Sequence, residues 1–386
     1  MGLSDGGSAR QEALEVVFAT LDRLGVRWCV LHNYDRLPVQ IESVVDVAVA
    51  GGSRGVLAAL AAALPPDGPQ LINVFYEPGV NRYAIFATRR SSGREYLHLD
   101  LHDRCRFRGV TVLEAEAALR GRVHIDGMWG ASPSAELTYS LAKRLLGRGP
   151  KMADLERWRV LVARDPSQCR QALQSLFGRE ADVVDAAIRG CDLARLRETR
   201  SALSRGFLPG SHRPMVIWGN LLRWMNRLVS PNGLIVGLSA EDPGVTQQVG
   251  RQIEEGLARY PGRRVPALED GDLVRRFDLV SRRAGLALSA RCWMLRRRSR
   301  IVLLQCKGDP EQGYRKARHP FETLSFGRPD LSIAVDLSGS PCPAPLPPRF
   351  SWISARSIEE AAAEALDEIL AALASRTRER LGLDQQ

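Results

Sequence analysis

One short stretch constrains this chain more than any other, an apolar run that turns directly into a helical pattern. The run is Leu234-Ile-Val-Gly-Leu238, and the helical pattern shows at Val249, Ile253 and Leu257. A β-type strand, a tight loop and a helix form the frame on which phosphate-binding loops are built. A working loop reads G-x-x-x-x-G-K-[ST], which supplies amides for phosphates, a lysine for their charge and a hydroxyl for Mg²⁺. On that template Ala240 takes the first glycine, Val245 the second, Thr246 the lysine and Gln247 the Ser/Thr. Pro243 also removes one N–H from the cradle. The frame stands while most of its phosphate chemistry is gone, and Gly244 and Thr246 remain as nucleotide-contact candidates.

Downstream the pattern becomes more specific. A second apolar strand, Ile301 to Leu304, is followed by Gln305 and Cys306, and then by a basic segment carrying Lys307, Arg315, Lys316 and Arg318. A third strand lies in Arg328-Pro-Asp-Leu-Ser-Ile-Ala-Val-Asp-Leu337, a proline-rich loop spans Pro341 to Pro348, and a short strand (Phe350 to Ile353) precedes a closing helix (Ile358 to Leu373). In this order residues 233–375 resemble the thymidylate kinase-like P-loop fold, found as a C-terminal domain in some bacterial proteins. That resemblance implies a parallel sheet with helices on both faces. It also implies an Asp-Arg pair where Gln305 and Cys306 stand, so the domain reads as degenerate.

Composition narrows the function classes. No run approaches the roughly 20 apolar residues that span a bilayer, and the N-terminus has neither a basic start nor an apolar core, so a cytoplasmic chain is expected. Seven scattered cysteines form no C-x-x-C or His/Cys cluster, which argues for reduced thiols and against zinc. The net charge is 54 − 44 = +10, carried mainly by arginine. Such a balance suits nucleotide or other anionic partners, but the densest run, Arg296 to Arg300, has no interleaved aromatics or recognition-helix signature. Nucleic acid is therefore not the expected partner.

The N-terminal part alternates helix and strand. A helix over 10–24 (Leu14, Val17, Phe18, Leu21, Leu24) is closed by Gly25 and followed by strands at Val26–Leu31 and Val44–Val49. A helix (Arg54 to Leu64) and strands at Leu71–Tyr76, Arg82–Thr88 and Tyr96–His102 complete an α+β order around a mixed sheet. Residues 133–205 read as helical, and a further helix over Met215–Leu228 carries Trp218 and Trp224. The implied division is 1–130, a helical middle and linker at 131–232, the P-loop-like domain at 233–375 and a polar tail at 376–386.

Within 10–103, the segments Gly25 to Pro38 and Glu42 to Val49 resemble the nucleotidyltransferase superfamily. Its G-S-x-x-D-x-D type signature puts two acids at i and i+2 on one side of a strand, with a third acid on a later strand. Three such acids hold two Mg²⁺ ions. Here Ser43 is taken as the serine and Asp46 as the second acid, which puts Val44 at the first acid only with the signature's two-residue spacer absent, and Asp100 fits the third. The resemblance thus implies Asp46 and Asp100 as the catalytic and metal-binding pair, with Mg²⁺ held weakly, and Ser43, Lys143 and Lys151 beside the nucleotide. His98, Asp100 and His102 share one face at period two, which is equally the pattern of a metal face and of a half-solvated strand.

Both domains have lost residues that handle metal and phosphate. The expected function is therefore a catalytically impaired protein of these folds, acting in binding or assembly, with a protein partner or a second copy of itself as well as a nucleotide or small molecule as ligands. Related tandem proteins place it in a cell-surface polysaccharide or secondary-metabolite setting. The alternatives are a nucleotidyltransferase moving a nucleoside monophosphate with a reduced acid set, and an unorthodox small-molecule kinase. If the chain is active, transfer is favoured over kinase chemistry.

Overall fold

The computed structural model describes residues 9–41, 44–77, 81–90, 93–107, 110–146, 149–198, 234–240, 242–257, 274–278, 301–307, 330–338 and 350–383. Helix Met215–Leu228 with its two tryptophans, most of the basic segment after Lys307, and the proline-rich loop lie outside the described residues. The chain is a multidomain mixed α/β protein that forms two compact units. One comprises Met1–Pro69, Tyr76–Ala84 and Leu97–Trp224, the other Gln70–Phe75, Ile85–Tyr96 and Met225–Gln386.

The first unit begins with α1 (Ala9–Arg23), whose Leu14, Val17, Phe18 and Leu21 form one buried stripe. Gly25 adopts φ +67°, which any side chain would resist, and Val26 N–H returns to the Leu21 carbonyl (3.0 Å) to end the helix. The chain then enters β1 (Trp28–Val30), crosses a 3-10 turn at Tyr34–Arg36 and returns as β2 (Val45–Val49) antiparallel to β1. Helix α2 (Ser53–Ala63) leads to β3 (Gln70–Glu77), β4 (Asn81–Arg90) and β5 (Gly93–His102), of which Gln70–Phe75 and Ile85–Tyr96 belong to the second unit. Beyond them lie β6 (Arg104–Phe107) and β7 (Val110–Glu114), a short α3 (Ala115–Leu119), and the hairpin of β8 (Val123–Ile125) and β9 (Met128–Gly130). The seven-stranded sheet runs β3-β4-β5-β2-β1-β9-β8, with β2 parallel to β5 and β1 parallel to β9.

Four helices follow: α4 (Pro133–Leu146), α5 (Met152–Arg164), α6 (Pro166–Phe177) and α7 (Ala181–Arg189). Their apolar stripes meet in one core, where Leu137, Leu141 and Leu145 of α4 pack with Leu155, Trp158 and Leu161 of α5 and with Val184 and Ile188 of α7. Asp165 caps α6, accepting from Gln168 N–H (3.1 Å), with Pro166 in the first turn where its missing N–H costs nothing.

The second unit holds a five-stranded parallel sheet ordered β11-β12-β10-β13-β14: β10 (Leu234–Ala240), β11 (Val274–Asp278), β12 (Ile301–Lys307), β13 (Leu331–Asp336) and β14 (Phe350–Ser354). Leu234, Val236, Leu238, Ile333 and Val335 are buried in it, as the near-continuous apolar runs of parallel strands require. Helix α8 (Pro243–Leu257) packs on α9 (Ile358–Leu381). The sequence pattern locates these elements but misplaces ends: α8 starts at Pro243, β12 continues through Gln305 and Cys306, and α9 runs past Leu373. Pro243 is the reason for the first shift, since a proline at the first helical position starts a helix.

Candidate functional site

Asp46 and Asp100 sit opposite one another on the adjacent parallel strands β2 and β5, in direct register. His102, two residues on, points to the same side. One ligand atom from each of Asp46, Asp100 and His102 lies within 4.8 Å of the others, and all three residues are buried. The His102 Nε2 atom stands 3.4 Å from Asp100 Oδ2 and 3.6 Å from Asp46 Oδ1.

Helix α4 closes this group with a single stripe. Glu136, Tyr139, Ser140 and Lys143 follow the i, i+3, i+4, i+7 spacing that puts side chains on one face. Lys143 Nζ donates to Asp46 Oδ2 at 2.5 Å and lies 3.1 Å from His32 Nε2. His32, just beyond β1, has its Nε2 2.6 Å from the same Asp46 oxygen. The Tyr139 hydroxyl is 3.4 Å from His102 Nε2, and its ring stacks with that of His32. Glu136, fully buried, receives a two-pronged bond from Arg157 of α5 (2.8 and 2.9 Å), which fixes α5 against α4.

The turn that carries His32 is held just as firmly. Gly130 in β9 lies under the ring of Tyr34, so close that a Cβ there would stand 2.8 Å from the ring carbons. The Tyr34 hydroxyl donates to the Ala131 carbonyl (3.1 Å). A side chain at 130 would force the Tyr34 ring, two residues from His32, to shift.

Charge is the dominant property of the site. Burial alone would raise Asp46, but the Lys143 ammonium, and after it the hydrogen bonds from His102 and His32, hold it well below the usual carboxylate range. Burial opposes a charged His102, yet Asp100 above all raises it well above the ordinary imidazole value. Asp46 is thus a buried anion held by the Lys143 ammonium and by contacts with His32 and His102. His98 differs: burial lowers it below its ordinary value, and its Nε2 has no hydrogen-bond partner.

Two cavities share His32, Lys143 and Arg144 in their walls and meet the acids only through His32 and Lys143. One of about 220 Å³ is lined by residues including His32, Lys143, Arg144, Lys151 and Arg157. The other, about 330 Å³, is bordered by Arg36, Val44, Lys143 and Arg144. Lys143 and Lys151 therefore lie on the same cavity, whereas Ser43 lies outside the described residues. Val44, where the signature wants an acid, borders the second cavity at the site's edge. Sequence reasoning did not single out His32, Tyr139, Glu136 or Arg157. The α4 stripe was the signal for Glu136 and Tyr139, since polar and aromatic residues there repeat at helical spacing beside Lys143.

Gly244 and Thr246 lie in the first turn of α8. There the Asp242 carboxylate accepts from Gly244 N–H (2.7 Å), and Thr246 N–H bonds back to the Asp242 carbonyl (3.1 Å). The helix start is therefore capped by its own acid. Thr246 is buried, its hydroxyl turned to the Asp242 carbonyl at 3.4 Å.

Two carboxylates and an imidazole are a donor set that suits a divalent transition ion such as Mn²⁺ better than Mg²⁺, which takes oxygen ligands. Asp46, Asp100 and His102 would hold it, and it would supply a Lewis-acidic positive charge beside Lys143. No helix among the described residues is long and apolar enough to cross a membrane.

No protein-family profile and no curated protein matches this sequence. Two solved Helicobacter pylori structures are similar. JHP933 shares 12% identity over 56% of this chain and 100% of its own, with a TM-score of 0.31. A second protein, named as a candidate nucleotidyltransferase, shares 13% identity over 57% of this chain and 97% of its own, also with a TM-score of 0.31.

Proposed function

We propose that the first unit is a nucleotidyltransferase-type module that binds one divalent ion and the phosphates of a nucleotide, and that it works mainly in binding. The observation that supports this reading is the convergence of Asp46, Asp100 and His102, linked through Lys143 to a cavity that Lys143, Arg144 and Lys151 border. Two-metal transfer needs a carboxylate that bridges both ions, and Val44 occupies its place. The set left is sufficient for one ion, so phosphate binding outlasts efficient turnover. Any residual activity is transfer of a nucleoside monophosphate rather than phosphorylation, because the start of α8 is already occupied by Asp242. A role in assembly, in a cell-surface polysaccharide or secondary-metabolite setting, is the wider context that fits a binding module.

Isothermal titration tests this reading. Wild-type protein is titrated with Mn²⁺ and then with ATP, GTP and CTP, alongside Asp46→Asn and Asp100→Asn. One Mn²⁺ per chain, lost in both variants and required for nucleotide binding, is the expected result. Equal Mn²⁺ binding in wild type and both variants would refute the site.

A further inference from the structure

Lys143 is the most exposed member of the cluster: its side chain is 36% exposed, against 18% for His32 and 3% for Asp46. It nevertheless places its ammonium 2.5 Å from Asp46 Oδ2, on the very carboxylate a divalent ion would need. Both cannot hold that oxygen at full strength. A divalent ion on Asp46 and Asp100 cancels both carboxylates, which leaves the ammonium without its counter-charge and beside a stronger cation.

The lysine has somewhere to go. It lines both cavities, and its four-carbon stem lets the ammonium swing while the α4 backbone stays fixed by Leu141 and Leu145 in the helical core. Arg144 stands beside it on both cavity walls, but its guanidinium is held by Asp154 at 2.9 Å. Lys151 holds the cap of α5 through its backbone N–H, which donates to Asp154 (2.8 Å). Lys143 alone of the three is paired with a residue that the ion would claim.

We propose that Lys143 is a built-in stand-in for the ion: it occupies Asp46 when no divalent cation is bound, and the arriving ion displaces it into the cavity, where it becomes a phosphate ligand. Resting on the ion-binding reading above, the inference adds that ion and phosphate binding are coupled through one side chain. The ion weakens one partner of Lys143 and frees it for another, so each ligand favours the other. No bond is made or broken in this exchange.

Two measurements test it. The first is Mn²⁺ titration of Lys143→Met and Lys143→Arg, with thermal unfolding to confirm that each variant folds. Removing the competing ammonium is expected to tighten Mn²⁺ binding by about tenfold in Lys143→Met, with little change in Lys143→Arg. Weaker or unchanged binding in a folded Lys143→Met would overturn the proposal. The second uses wild-type protein and needs no variant. Lysines are acetylated with and without Mn²⁺ and followed by mass spectrometry. Labelling of Lys143 is expected to rise several-fold with Mn²⁺ while Lys151 stays constant, and unchanged labelling of Lys143 under saturating Mn²⁺ overturns the displacement. Mn²⁺ binding by wild type with no effect on Lys143 defeats this inference alone. No Mn²⁺ binding by wild type or Lys143→Met defeats the ion-binding reading as well.

Discussion

The cleft at β2 and β5 and the turn between β10 and α8 depart from their sequence templates in the same way, each lacking charged or phosphate-binding residues. They have ended in opposite states. At β2–β5 the remaining acids converge, and the protein surrounds them with Lys143, His32 and His102. At β10–α8 the positive end of the helix has been taken by the chain's own Asp242. The two regions differ in the partner: Asp46 is paired with Lys143, whose side chain lines both cavities, whereas the start of α8 is capped by Asp242 from its own turn.

The largest effect that would sharpen this contrast is expected from Asp46→Asn. It removes the buried partner of Lys143 and one of the two carboxylates that face His102, and because the Lys143 ammonium can turn to solvent the cost falls below that of a fully buried pair, about 1–3 kcal/mol. Thermal or chemical denaturation should show that loss together with loss of Mn²⁺ binding. Unchanged stability would mean that the cluster is not coupled as described.

A pH effect of the next size follows from His102. Its imidazole holds a proton well above the ordinary range, and an ion can bind there only by expelling it. Mn²⁺ affinity in wild type should rise as pH increases towards the raised value and level off above it. Affinity that is flat across that range would place the ion elsewhere.

Restoring the missing acid should strengthen the first region without touching the second. Val44→Asp is expected to raise Mn²⁺ affinity about tenfold by adding a carboxylate at the cavity edge. A drop in affinity would show that Val44 does not face the ion. The smallest effect belongs to α8: Asp242→Ala removes a helix cap, costs about 1 kcal/mol and creates no nucleotide site. Strong nucleotide binding gained by that single change would erase the distinction between the two regions.

How much of this could be read from the residues depends on distance along the chain. Alternation in β5 put His98, Asp100 and His102 on one face, and the resemblance brought Asp46 to meet them, so the acid pair was legible. Lys143 was marked only as a basic helix residue, because nothing local says that its ammonium crosses to an aspartate 97 residues earlier. His32 was passed over because it lies in a turn, where side-chain direction follows no period. The hairpins β6–β7 and β8–β9 escaped notice because their strands of 3–5 residues mix polar and apolar positions. Asp242 was legible in principle, since an Asp followed by Pro is a helix-start signal, but the loop template drew attention to what was missing rather than to what had replaced it.

The central claim is that the chain keeps one cation site in the first unit and none at the start of α8. Crystals soaked with Mn²⁺ and a non-hydrolysable nucleoside triphosphate, with diffraction data collected at the manganese absorption edge, test it most directly. The account predicts one anomalous peak within bonding distance of Asp46, Asp100 and His102, with phosphate density beside Lys143. A peak at Gly244 and Thr246, or no peak beside Asp46 at saturating Mn²⁺, would contradict it.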